Sequence, residues 1–430
     1  MPAPTQVRIP ITVSATLAAN EVLAARRGRG EPVLPLAFGE AGLPAHPALQ
    51  ATLAAATGCN SYGPVAGLDE LRTAAAGYWS RRRLPTSAGD VVCGPGSKPL
   101  LYGLLLALGA DVAVPKPSWV SYAAQATMTD SRPHFVPTRP GEGGVPDPDR
   151  LDRAVTAART AGRHIASVVV TLPDNPTGTL ATPATVGELC EVAARHDLLI
   201  ISDEIYRDLV HDPAAPVTSP AEITPERTVV TTALSKNLAV GGWRIGVARL
   251  PSGSAAAPSA AGLRARLLSI GSEIWSAPSG PIQQAAAFAF TEPPELAERV
   301  TRSRRLHAAV ARAVADRLRA AGVAVPAPRA AFYLYPDFGP WRELLLDRYG
   351  IGTAAGLAGL LLDRYGAGVL PASAFGEAPE ALRLRVATGL LYGSTDEQRE
   401  SALAAADPVT LPWIAASLAR IEHILADLRG

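Results

Sequence analysis

Lysine is nearly missing from this chain. Of its 40 basic residues only three are lysines, Lys98, Lys116 and Lys236, and the rest are arginines. Cysteine is scarce as well. Three residues (Cys59, Cys93, Cys190), an odd number without paired spacing, argue against a disulfide framework or a zinc site. Neither sign of charge is in surplus: 40 basic against 39 acidic residues give +1, so nothing in the balance points to nucleic acid or to a basic partner. No apolar run reaches the roughly 18 residues that a membrane helix needs. The first twenty residues are interrupted by Pro2, Pro4 and Pro10 and lack the charged start and apolar core of a signal peptide. These absences leave an expectation of a cytoplasmic globular protein with no membrane and no nucleic-acid partner. The chain has 430 residues, of which 48% are hydrophobic, enough for two or three domains and a large core.

The rarity of lysine directs attention to where it remains. Arginine stays protonated and cannot form a Schiff base, whereas lysine can once its pKa is depressed. Lys236 lies in Ala233-Leu234-Ser235-Lys236-Asn237, eight residues before Arg244 in Gly242-Trp243-Arg244-Ile245-Gly246.

Helical and strand patterns alternate along the chain. Val91–Cys93, Asp111–Val114, Ile165–Thr171, Leu198–Ser202, Thr228–Thr232 and Ile245–Leu250 are short apolar, β-branched runs. Helical stretches such as Pro99–Leu108 and Pro183–His196 separate them. Continuous apolar strands between helices predict an α/β fold, a mostly parallel sheet covered on both faces. After about residue 290 the texture changes: a long Arg/Ala-rich helix over Glu295–Ala321, short strands at Ala331–Tyr335 and Leu382–Ala387, and a helix near Leu411–Leu428. The expected division is an N-terminal arm contributing to a small domain (1–45), a large domain (46–294) and a small α+β C-terminal domain (295–430).

In open α/β sheets ligands bind at the carboxyl ends of the strands. Three predicted strands end in polar residues: Asp174-Asn175-Pro176-Thr177-Gly178, Asp203-Glu204-Ile205-Tyr206 and Ser235-Lys236. An amide, a carboxylate, a phenol and an amine would therefore share one rim. A carbonyl cofactor held through lysine needs such groups: the carboxylate to pair with a protonated ring nitrogen, the amide and phenol to hydrogen-bond a phenolate oxygen. The turn Gly94-Pro95-Gly96-Ser97-Lys98 adds an anion site, its small residues letting backbone N–H groups and a helix N-terminus face a phosphate. It is neither a dinucleotide fingerprint, since Pro99 takes the third glycine position, nor a Walker A loop. Arg244 could give the same phosphate a charge-assisted partner.

Asn175-Pro-Thr-Gly, Asp203-Glu-Ile-Tyr206 and Ser235-Lys236 followed by Trp243-Arg244-Ile-Gly246 resemble the signature of class I/II aminotransferases, fold-type I enzymes dependent on pyridoxal 5′-phosphate (PLP) and related to aspartate aminotransferase. Further segments from about residue 30 onward are similar to that family in its order: Leu36-Ala-Phe-Gly39-Glu40, Ser61-Tyr62 through Gly67, Pro117-Ser-Trp119-Val-Ser-Tyr122, Ala331-Phe332-Tyr333 and Val369-Leu370-Pro371. The resemblance implies a seven-stranded-type sheet and a division of labour. Lys236 is the Schiff-base residue and proton shuttle. Asp203 pairs with the ring nitrogen, Asn175 and Tyr206 tune the ring oxygen, and Trp119 stacks on the ring. Gly96, Ser97, Lys98, Ser235 and Arg244 hold the phosphate, with Tyr62 reaching it from a second subunit of a homodimer. Gly39 lies over the substrate, and Arg383 grips its carboxylate. Separately from the resemblance, strand alternation, with Arg385 read as one step from Arg383, leads to the expectation that Arg385 faces the other side in a structural contact. No metal enters this scheme. Ala233 and Ala372 depart from the family, which more often has serine or glycine at the first position and glycine at the second.

The expected reaction is transfer of an amino group from an L-amino acid to a 2-oxo acid. Elimination, replacement, decarboxylation or cyclisation on the same fold is the alternative. A regulator with an aminotransferase-like domain is disfavoured, because roughly 30 residues before the match are too few for a DNA-binding module. A serine hydrolase lacks its Gly-x-Ser-x-Gly elbow. Dicarboxylate-specific relatives place an arginine just before the segment matching Ile274–Pro278. This chain has Ser269, Gly271, Ser272 and Glu273 there, so Glu273 and Trp275 are expected to favour a neutral, aromatic or cationic side chain.

Overall fold

A computed structural model describes residues 13–251 and 257–430. The first twelve residues of the expected N-terminal arm lie outside the described residues.

An eight-stranded sheet runs in the order Val91–Gly94, Gly246–Arg249, Thr228–Ala233, Leu199–Asp203, Ile165–Thr171, Asp111–Lys116, Pro133–Arg139, Glu142–Pro146. Its centre is parallel, from Thr228–Ala233 through to Pro133–Arg139. Antiparallel pairs close both edges: Gly246–Arg249 pairs antiparallel with both its neighbours, and Glu142–Pro146 folds back on Pro133–Arg139. The last strand makes the sheet one strand wider than the seven-stranded type and covers an edge that would otherwise expose unpaired backbone.

The unbroken apolar runs follow from burial on both faces. Side chains alternate across a strand, so Val168, Val170 and Ile200 pack on one side with helices Pro148–Thr160 and Pro183–His196. Val169, Leu199, Ile201 and Val229 pack on the other with helices Ser97–Leu108 and Leu263–Ile274. Truncating Leu199, Ile200 or Ile201 to alanine would cost about 2–5 kcal/mol.

A second core gathers elements from both ends of the chain. Leu34, Leu36 and Leu43 pack with Leu306, Val314, Leu334, Leu384, Ile414 and Leu428. Strand Leu384–Ala387 lies between Tyr333–Leu334 and Leu370–Pro371, both antiparallel to it, while Leu34–Pro35 pairs in parallel with Ala367–Gly368. Helix Pro294–Ala320 begins against the large core through Leu296 and continues into the second through Leu306, Val310 and Val314. Among the described residues no helix is long and apolar enough to cross a membrane.

Candidate active site

The carboxyl ends of the parallel strands open into a cavity of about 530 Å³. Strand Leu199–Asp203 delivers Asp203, strand Ile165–Thr171 is followed by Asn175, and strand Thr228–Ala233 runs into the short helix Leu234–Asn237 that carries Lys236. Asp203, Asn175, Tyr206, Ser235 and Lys236 all line this cavity, with Trp119, Ser97, Lys98, Arg244 and Gly39.

At the floor, the Asp203 carboxylate is buried and accepts a hydrogen bond from the Tyr122 hydroxyl at 3.0 Å. Burial pushes its pKa up to about 6, against the pull of that hydrogen bond. The Lys236 amine donates to the Gly39 carbonyl at 2.5 Å. Its pKa falls to about 8, first because the amine is desolvated and then because Arg385 and Arg244 repel its charge, while Glu40 and Asp203 oppose the fall. A lysine in that range holds a substantial neutral fraction near physiological pH, as a nucleophile or general base requires. Tyr206 is buried, and its hydroxyl meets that of Tyr333 at 2.8 Å.

One end of the cavity is cationic. Helix Ser97–Leu108 starts at Gly96, whose φ of 97° suits glycine, and no side chain caps its first turn. A Cβ on Gly96 would run into the Arg244 guanidinium, and one on Gly246 would lie 2.5 Å from the Ser97 nitrogen. These glycines thus allow Arg244 and the strand Gly246–Arg249 to close on the helix N-terminus. Burial lowers the Lys98 pKa, and the charge of Arg244 lowers it further. Two cations repelling each other at an uncapped helix start form a ready anion site. The Lys98 ammonium also lies 4.9 Å from the centre of the Trp119 ring.

The other end corrects the reading of the arginine pair. Arg385, not Arg383, lines the cavity. It is buried beneath the rings of Tyr333 and Phe375, each 5.2 Å from its guanidinium carbon. It donates to the Ala37 carbonyl and, at 3.4 Å, to Asn175 Oδ1. Arg383 instead bonds Asp337 at 2.9 Å and Glu377 at 2.8 Å, with its side chain 41% exposed. Residues two apart share a face of a regular strand, so alternation never separated the two. The separation arises because the strand begins at Leu384, leaving Arg383 at its entry, where two carboxylates turn it outward.

The class I and II aminotransferase profile matches residues 32–404. The chain belongs to the class I/II aminotransferases. It is 32% identical to the aspartate/prephenate aminotransferase of Thermus thermophilus over 333 residues, 76% of this chain and 82% of that one. With the aspartate aminotransferase of Geobacillus stearothermophilus it shares 31% over 392 residues, 88% of this chain and 93% of that one. A match to the probable aspartate/prephenate aminotransferase of Thermus aquaticus, at 36%, spans 55% of this chain and 61% of that protein. Among solved structures, the Thermus thermophilus aspartate aminotransferase with maleate superposes with a TM-score of 0.79 at 26% identity, covering 96% of this chain and 97% of that one. The fold is that of fold-type I, and the protein is an aminotransferase of a family that works with PLP.

Other residues of this aminotransferase fall less simply. Tyr62 is 94% exposed and lies outside the cavity of its own chain. Glu273 and Trp275 are also absent from the cavity lining. Trp275 folds back against Gly271, and its ring approaches Gly103. Within one chain neither reaches the cavity. Ala233 leads into the lysine turn with no capping side chain. Reading the sequence alone missed Arg385, Tyr122 and Tyr333 as cavity residues. Tyr122 had a signal, since it follows Trp119 by three residues at the start of helix Val120–Met128.

Proposed function

We propose that this aminotransferase binds PLP in the cavity and transfers an amino group from an L-amino acid to a 2-oxo acid. The donor set fits the cofactor at each point where it makes a demand. The uncapped start of helix Ser97–Leu108 with Lys98 and Arg244 suits a phosphate. Among the described residues the buried Asp203 has no cationic partner within hydrogen-bonding distance, and it suits a protonated ring nitrogen. Trp119 offers a ring-sized wall. When bound, PLP supplies an aldehyde that lysine can engage and a ring that accepts the electrons released at the substrate Cα.

The chain's own residues then divide the work. Asp203 holds a proton on the ring nitrogen, and its tendency to protonate alone disappears once that cation is adjacent. Asn175 and Tyr206 hydrogen-bond the ring oxygen. Arg385 pairs with the substrate α-carboxylate; its present partners are neutral oxygens, so an arriving carboxylate would be its charge partner. Lys236 Nζ takes the Cα proton and returns it on the other side of the transfer. Tyr62, exposed on its own chain, would complete the phosphate site of a second copy in a homodimer.

The observation that carries this reading is the desolvated Lys236 amine in one cavity with Asp203 and Arg385. The test is an absorbance titration of the purified, PLP-loaded protein and its Lys236→Ala variant with a panel of amino acids. The wild type alone should show a band of lysine-bound cofactor, which one amino acid converts to the pyridoxamine form with release of the matching oxo acid. Release of ammonia or CO₂ instead would overturn transamination.

A further inference from the structure

The turn that carries Lys236 is fastened from behind. Asn237, the next residue, is buried, and its Nδ2 donates to Asp208 Oδ2 at 2.9 Å. Asp208 follows Tyr206 by two residues in the 3-10 turn Arg207–Leu209. One carboxylate therefore joins the segment bearing the amine to the segment bearing the phenol. That carboxylate is itself anchored: it accepts from the Tyr78 hydroxyl at 3.1 Å and from Arg82 at 2.8 Å through Nη2 and 3.2 Å through Nε. Arg82 also binds Glu292 and lies 3.5 Å over the Tyr78 ring.

The amide at 237 comes at a cost. Its Oδ1 is buried with no hydrogen-bond partner among the described residues. An apolar residue of similar shape would remove that penalty if the position needed only filling. What the amide offers is its donated hydrogen bond, and among the described residues Asp208 alone receives it. Burial alone would raise the Asp208 pKa, but Arg82, Asn237 and Tyr78 hold its carboxyl below the ordinary range, keeping it an ionised acceptor.

We propose that Asp208 is a positioning residue for Lys236, acting through Asn237 to fix the amine-bearing turn against the turn that bears Tyr206. This rests on the reading of Lys236 given above. Neither Asp208 nor Asn237 lines the active-site cavity, so the effect passes through the lysine rather than through contact with the substrate. With the Asn237 link broken, the lysine turn loosens, water reaches the amine, and its proton affinity moves back toward that of an ordinary lysine.

The scarcity of lysine makes this measurable. Besides the α-amino group, which peptide mapping separates, Lys98 and Lys116 are the other lysines, so peptide-resolved acylation of the cofactor-free protein across pH reports Lys236 individually, with those two as internal references. A pH titration of the cofactor absorbance in the loaded protein gives a second readout. Asn237→Leu and Asn237→Ser should each raise the apparent pKa of Lys236 from about 8 by about one unit, a tenfold change in its protonation equilibrium. They should lower kcat about tenfold with KM changed less than about twofold. Tyr78→Phe, which removes a different donor to Asp208, should leave the Lys236 titration in place. The proposal fails if both Asn237 variants keep the wild-type titration and kcat, whatever their melting temperatures. It also fails if Tyr78→Phe shifts the titration equally, since general loosening would then suffice. Retention of activity and of the absorbance band by Lys236→Ala would sink the reading of Lys236 itself, a result separate from any shift seen at Asn237.

Discussion

The two ends of the cavity create charge specificity in different ways. At the cationic end, Lys98, just past one strand, and Arg244, just before another, meet at the start of a helix, and a carboxylate is nowhere bonded to either among the described residues. At the opposite end the Arg385 guanidinium lies within a strand under two aromatic rings and, among the described residues, bonds neutral oxygens alone. Its neighbour Arg383 is neutralised by Asp337 and Glu377. A binding arginine is thus distinguished less by its place in a motif than by the absence of a resident counter-ion. Desolvation without a partner is costly, and that unspent interaction is what a substrate carboxylate can use.

The largest test of the arrangement is loss of the amine between the two ends. Lys236→Ala should lower the transamination rate by about 10⁴-fold or more, measured in single turnovers with a fixed amino acid. The floor should reveal itself in the pH dependence of melting of the cofactor-free protein. Asp203 has its pKa raised to about 6, above the roughly 3.9 of an unfolded chain. Its contribution is therefore fully present below about pH 4 and lost as pH rises through 6, by about 3 kcal/mol. Asp174, fully buried, is raised to about 7 and adds a second step of the same sign. Asp203→Asn should roughly halve the slope between about pH 4 and 6 and leave the Asp174 slope, which runs on to about pH 7; an unchanged profile would refute the assignment.

The arginine pair provides the sharpest contrast. Arg385→Leu should raise KM for the amino acid about 100-fold, the loss of roughly 3 kcal/mol from a charge-assisted pair. Arg383→Leu should change KM less than about threefold and stability by under about 1 kcal/mol, because its ion pairs are partly exposed. Equal effects would erase the distinction between the two ends. The smallest effect belongs to the roof: Tyr333→Phe, which removes a neutral hydrogen bond to Tyr206, should cost about two- to tenfold in kcat/KM.

Much of the rim was legible because its chemistry sits in turns just past apolar strands, where the chain announces both the strand and the residue that ends it. Asp203, Asn175 and Lys236 are of this kind. Arg385 was not, because the choice between it and Arg383 depends on where a four-residue strand begins and on carboxylates from loops at 337 and 377. Local pattern contains neither. Tyr333 could be seen as part of a segment but not as a partner of Tyr206, since 127 residues separate them. The added edge strand Glu142–Pro146 escaped for a similar reason: its glycines weaken the β signal, and the pairing with Pro133–Arg139 supplies what propensity does not.

The hydrogen bond from Lys236 to the Gly39 carbonyl has an implication for how the protein is assembled. Gly39 belongs to the N-terminal segment beside Leu36 and Ala37, which packs with the C-terminal third, whereas Lys236 belongs to the short helix that follows a central strand. In the cofactor-free chain the amine therefore acts as a clasp between two distant stretches of polypeptide. A partner that bonds to that nitrogen would take up the N–H groups the clasp depends on, so loading the protein and freeing its N-terminal segment from the amine would go together.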